Sequence, residues 1–380
     1  MRTALPHVSF VALMVFLSVY SRLLISPLLV NIQADLAIGP ARATRLFLTL
    51  SISYSVAMIT SSIFTAKLIH RRTIALSSTL LGTGLLVLGF APNLWVMHVG
   101  AAIIGAGAGL YPPAGVASVT ALVSDSIRGR VLALHETGPN LAFVIAPLAA
   151  ATVVFAPTWR VIPIASGVFA LAMGVLFDRF SVAGQFYGDR LRIKSLSTLF
   201  RKPEFWAIML LFSLAASSTM GVFSILPTYL ITRRGYDPQM VNTLISISRM
   251  SGVGMLFLSG VLIDRIGVRM LVATVMGVTG ILTLSIGVLP GNAMLVAVFL
   301  QPIIITAFFP AILSAMADLG PPSVRSVAVS MLIPTVNIVS GGIFPALMGW
   351  LTEVGSVEAG FIVLGVLIFA GIAAAPLLKK

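Results

Sequence analysis

GVLIDRIGVR, residues 260–269, is a short charged stretch between two long apolar runs. FTAKLIHRR, residues 64–72, stands in a like place 197 residues earlier. At that offset Lys67 falls on Asp264 and Arg72 on Arg269. The match continues with Pro113-Ala114 on Pro310-Ala311, Ser126 on Ser323, Arg128 on Arg325 and Asn140 on Asn337. One offset kept from residue 67 to residue 140 without a gap marks an internal duplication.

The chain around these stretches is built for lipid. Of 380 residues 58% are hydrophobic and 9% charged, where a soluble domain carries roughly a quarter charged. Apolar stretches near bilayer-spanning length fall at about 8–32, 44–66, 73–91, 94–122, 131–154, 160–177, 204–231, 240–262, 269–289, 292–317, 326–350 and 357–377. The expected fold is therefore an all-α integral membrane protein of twelve transmembrane helices. Two pseudo-symmetric six-helix bundles, 1–177 and 204–380, flank a linker loop at 178–203. The first run is too long for a signal peptide and no A-x-A-type site follows it, so it reads as a retained helix.

Of the 24 Lys and Arg, seventeen fall on the N-terminal side of the spans and five (Arg42, Arg45, Arg160, Arg233, Arg234) on the other. That asymmetry predicts an inner-membrane protein with both termini cytoplasmic. It also accounts for the net charge of +13 without nucleic acid. Cysteine is absent, which excludes disulfides and thiolate chemistry. HETGPN, residues 135–140, lacks the second histidine of a zinc-binding H-E-x-x-H. GAGAGLYPPAG, residues 105–115, lies within a span and reads as close helix packing, not a nucleotide loop. No enzyme, metal or cofactor is expected.

The chain resembles the major facilitator superfamily over essentially its whole length, and GVLIDRIGVR fits that family's loop signature G-x-L-x-D-R-x-G-x-R. The resemblance implies a monomeric carrier whose halves rock in alternating access, with Asp264, Arg265 and Arg269 forming a gating loop. The first-half copy departs from the signature at Lys67 and His70. APLAA, residues 146–150, replaces the family's antiporter motif, and Ala101 stands where proton-driven members often have arginine. The first of these departures leans against drug/proton antiport.

Two basic residues remain inside spans, Arg22 and Arg249. A guanidinium in a bilayer is costly and marks function by default. Arg22 lies roughly 21 Å from the start of its run and Arg249 roughly 14 Å from the other end of its own, at about 1.5 Å per residue. Ser18 and Ser26 share a helix face with Arg22, and Asn242 and Ser246 share one with Arg249. Glu136 is the one carboxylate more than two residues inside an expected span, so two arginines outnumber the acids at depth and imply a mobile anion. The paired cations are similar to those of monocarboxylate and oxalate–formate carriers. The expected substrate site is Arg22, Arg249, Asn140, Asn337, Tyr111, Ser26 and Ser246. Glu136 and His135 are the candidate proton groups, so proton symport and anion exchange both fit. The alternatives are structural: helix-joining amides for Asn140 and Asn337, and an ion pair with Arg130 for Glu136. Rival functions are proton-driven efflux of amphiphiles, a nitrate- or cyanate-type anion carrier, and a non-transporting membrane receptor.

Overall fold

The computed structural model describes residues 5–188, 199–317, 319 and 322–378. Residues 189–198 of the expected linker, with Arg190, Arg192 and Lys194, lie outside them, as do Arg2, Lys379 and Lys380. The side chains of Ser126, Ser323 and Arg325 are likewise outside. All regular structure among the described residues is helical, and eleven helices there are long and apolar enough to cross a membrane.

The chain divides into two compact units, Met1–Ile38 with Leu46–Leu191, and Gly39–Arg45 with Arg192–Lys380. In the first half run α1 (Leu5–Leu23), α2 (Ile25–Leu36), α3 (Pro40–Lys67), α4 (His70–Gly89), α5 (Leu94–Ala121), α6 (Asp125–Ala151) and α7 (Val161–Phe180). The second half holds α8 (Pro203–Ala216), α9 (Val222–Thr228), α10 (Pro238–Val288), α11 (Gly291–Thr306), α12 (Phe308–Ala317), α13 (Pro322–Ile338), α14 (Phe344–Glu353) and α15 (Val357–Ala370). The second half repeats the starts of the first: Leu94 and Gly291, and Asp125 and Pro322, stand 197 apart, the offset read from the charged loops.

Local chemistry sets several of these boundaries. The Asn93 side chain accepts from Val96 N at 3.1 Å and starts α5. Asp237 accepts from Met240 N at 2.8 Å, with Pro238 in the first helical position of α10. The single run expected at 8–32 is two helices that part at Leu24. Pro27 has no N–H to give residue 23, and its ring crowds that carbonyl. The 51 residues of α10 would reach about 76 Å as one rod, more than twice the hydrocarbon core of about 30 Å. Gly267 interrupts it at φ 78°, ψ 162°, a conformation that is essentially glycine's alone. Two expected spans thus lie within α10, joined through the signature stretch 260–269.

Within the first unit α1 packs on α5 and α6, and α4 lies between α5 and α7. The glycine run of α5 sits in these contacts: a Cβ on Gly107 would come within 2.8 Å of the Ser77 carbonyl on α4. Gly105 and Gly109 meet the backbone of α3 at Leu50 and Tyr54. Within the second unit α10 packs on α11, α12 and α15.

Each unit also ties its last helix to a loop arginine. Arg269 donates to the Leu378 carbonyl from Nε at 3.2 Å and from Nη2 at 2.8 Å, and to the Pro376 carbonyl. Arg71 donates to the Ser181 carbonyl at 3.4 Å and pairs with Asp178 at 3.5 Å. Ser181 and Leu378 stand 197 apart, yet the donor matching Arg269 is Arg71, not the Arg72 of the sequence alignment. The chain after α7 folds back on this loop, with His70 N bonded to Phe186 O at 3.0 Å and Arg71 N to Gly184 O at 2.9 Å. Gly184 has φ +73°, and a Cβ there would press on Ser118 Oγ and Arg71 N.

Candidate functional site

Arg22 is the next-to-last residue of α1, beside the break at Leu24. Its guanidinium lies 4.5 Å from the centroid of the Tyr54 ring on α3. Such a contact is worth about 0.5–2 kcal/mol and leaves the positive charge intact. The neighbouring hydroxyls point elsewhere: Ser18 Oγ donates to Ala108 O at 3.4 Å and Ser21 Oγ to Leu17 O at 2.7 Å. Ser26 is 1% exposed.

Arg249 donates to the Thr219 carbonyl at 3.0 Å and lies over the Phe223 ring at 5.4 Å. Thr219 belongs to a π-helical turn, Ser217–Gly221, between α8 and α9. The Ser218 and Thr219 hydroxyls both bond back to Ala215 O, at 2.9 and 3.1 Å. They compete with backbone N–H groups for that acceptor, and a π turn leaves carbonyls for other donors. Gln301 on α11 takes a second one, Ser218 O, at 2.8 Å. Thr219 stands 197 residues after Arg22, so Arg249 meets the level of its unit that Arg22 occupies in the other. Ser246 donates to Asn242 O at 2.9 Å. Asn242 Oδ1 is buried with no hydrogen-bond partner among the described residues.

A third polar group joins α1, α5 and α6. Tyr111 is 1% exposed, and its hydroxyl donates to Val11 O at 2.8 Å and lies 2.9 Å from His135 Nε2. The Tyr111 hydroxyl is thus a buried tie between helices. His135 Nδ1 lies 3.1 Å from Glu136 Oε1, so the expected proton groups are in contact. Arg130 is exposed, and Glu136's one ion pair among the described residues is with His135. Asn140 donates to Glu136 O on its own helix at 2.8 Å, which uses one of its amide hydrogens locally. Asn337 is half-buried on α13.

In the loop 260–269, Asp264 and Arg265 are exposed and make no ion pair among the described residues. Arg269 alone makes the helix-end contacts expected of all three. Sequence reasoning passed over Tyr54, Thr219 and Gln301. Gln301 was findable as the one charged-or-amide side chain in the apolar GNAMLVAVFLQPIIIT of α11 beyond its first turn. Tyr54 and the Thr219 carbonyl had no comparable signal.

The family model described as Major Facilitator Superfamily matches residues 11–300. No curated protein matches the sequence. Solved structures do match. A bacterial homolog to the human lysosomal transporter Spinster, inward-facing and occupied, superimposes with TM-score 0.75 at 14% identity, covering 97% of this chain and 95% of that one. A POT family transporter in complex with a thioalcohol-conjugated peptide gives TM-score 0.80 at 14% identity, covering 98% and 95%. At these identities the likeness shows the fold.

Proposed function

The chain belongs to the major facilitator superfamily, and on that premise we propose that this transporter carries a small organic anion, with a monocarboxylate as the leading candidate. The observation that carries the reading is the pair of membrane-span arginines, one in each half, each beside an aromatic ring. A ring face orients Arg22, and a carbonyl and a ring orient Arg249. The planar guanidinium is a fork of N–H donors whose geometry matches a carboxylate. Glu136 is engaged by His135, so the one carboxylate deep inside an expected span serves another partner. In this proposal Arg22 and Arg249 are the anion-binding guanidiniums, and Asn140, Asn337, Ser26, Ser246 and Gln301 are the hydrogen-bonding groups. Cycling is by alternating access of 1–177 and 204–380 in the inner membrane. Glu136 with His135 carries the proton in a symport cycle, and anion exchange is the same cycle without it.

The test is Arg249→Lys in proteoliposomes, paired with a thermal-shift screen of small carboxylates, inorganic anions and lipophilic cations. Lysine keeps the charge and loses the fork, so anion affinity should fall about ten-fold or more with folding intact. Undiminished uptake by the lysine variant would replace the clamp with a general positive field. Stabilisation by lipophilic cations alone would transfer the assignment to amphiphile efflux, and stabilisation by nitrate or cyanate alone to an inorganic anion.

A further inference from the structure

The cluster of Tyr111, His135 and Glu136 obeys a donor-and-acceptor rule that locates its protons. Tyr111 Oη lies 2.8 Å from the Val11 carbonyl oxygen and 2.9 Å from His135 Nε2. A phenol has one proton and a carbonyl oxygen has none. Were the phenol to donate to Nε2, two oxygens would face each other at 2.8 Å with no hydrogen between them. The phenol proton therefore goes to Val11, and Nε2 carries its own hydrogen and donates to the phenolic oxygen. Every proton that His135 gains or loses is then at Nδ1.

Nδ1 lies 3.1 Å from Glu136 Oε1. A bare Nδ1 and a bare carboxylate would set lone pair against lone pair, so the contact attracts only with one proton between the two atoms. That proton sits either on nitrogen facing a carboxylate or on oxygen facing a neutral ring. The partners differ in freedom: the His135 side chain is 3% exposed and that of Glu136 is 62%. Tyr111 and His135 stack nearly parallel, at 8°, which holds the ring, while the carboxylate has room to leave it.

The neighbouring elements add no second ion pair to Glu136 among the described residues. α1 brings the Val11 carbonyl beside Ala12 and Val15, with His7 one turn earlier and Arg22 over Tyr54. α5 brings Tyr111. On α2, Asp35 is paired with Arg160 at 2.7 Å. On α6 itself Arg130 is exposed and Arg128 is not bonded to Glu136.

We propose that His135 and Glu136 form a proton dock whose register is set by Tyr111. The tyrosine fixes the Nε2–H tautomer, Glu136 rests on Nδ1 while the pair holds its exchangeable proton, and the carboxylate swings off when that proton leaves. The step balances: one proton passes from the Nδ1···Oε1 contact to water, the pair goes from net charge 0 to −1, and no bond between heavy atoms changes. Tyr111 is a positioning residue here. The place of the dock in a transport cycle rests on the symport reading above, whereas its tautomer and its docking rest on this geometry alone.

Histidine 15N NMR of the full-length protein tests it, because the chain has only four histidines and His135→Gln identifies the relevant signals. The native protein should show Nε2 of His135 protonated at every pH, with Nδ1 alone changing. Tyr111→Phe removes the acceptor of the Nε2–H. Losing one such bond should shift the tautomer ratio toward Nδ1–H about five-fold. A bare Nε2 in the native protein at any pH overturns the proposal, and so does an unchanged ratio in a folded Tyr111→Phe. Should that variant fail to fold, the native spectra decide. Native uptake that ignores a pH gradient would remove the symport reading and leave these spectra as predicted, so the two failures are separable.

Discussion

Arg22 and Arg249 are held by weak contacts of different kinds, and the difference bears on what each costs. Keeping a guanidinium inside a membrane span costs about 2.5 kcal/mol or more. The ring contact of Arg22 with Tyr54 at 4.5 Å returns about 0.5–2 kcal/mol. Arg22→Met should leave the melting temperature in detergent equal or higher, and should abolish the stabilisation given by the transported anion. A drop of several degrees, or an anion shift that survives, would make Arg22 a structural residue. That both arginines lie deep in apolar runs was legible, because no other Lys or Arg is so placed. Their partners were not legible. Tyr54 reaches Arg22 only through the tertiary placement of α3, and Thr219 is recruited through its carbonyl, which every residue has. The bond from Tyr111 to Val11 was not legible for a similar reason: a helix with apolar residues all round gives no sign of which face meets a neighbour.

Among the elements, α10 shows most clearly how a motif becomes geometry. The glycines at 260 and 267 look equivalent in the signature, yet they differ in the structure. Neither would bring a Cβ within 4 Å of another atom, and only Gly267 has positive φ, at +78°. Steric room is the same, so backbone conformation decides. Gly267→Ala should destabilise the protein by about 1–3 kcal/mol. Gly260→Ala, inside a helical segment, should be neutral or stabilising by up to about 1 kcal/mol. Unfolding in mixed micelles separates the two, and equal effects would deny the turn its strain. The spans themselves were readable from apolar length. The break at Leu24 and the π turn at Ser217–Gly221 were not, because each depends on where carbonyls find donors after the helices pack.

At the scale of the whole molecule the chain is one plan used twice. Charged loops revealed the 197-residue offset, and the helix starts follow it through both halves. The register of the latch was harder to read. Arg71, not Arg72, reaches the end of its unit's last helix; the first-half loop enters α4 at His70, where the second half has Gly267 at positive φ. The latches are internal to their units and should act independently. Arg269→Ala should speed amide exchange at 370–378 and leave 177–184 unchanged, and Arg71→Ala should do the reverse, as read by hydrogen-exchange mass spectrometry. Acceleration of both segments by either change would mean that the latches are coupled.

The same offset also dates the charges. Arg22 corresponds to Thr219, and Arg249 corresponds to Ile52. At neither pair do the two copies agree, so each pair has changed at least once since the halves were identical. In the first unit the cation rides on the first helix of its pair and its aromatic partner on the second. In the second unit the cation rides on the second helix and its partners on the first. An ancestor assembled from two equal halves could not have had this crossed arrangement. The present two-cation arrangement is therefore younger than the fold that carries it, and the ancestral protein carried a different set of charges within its spans.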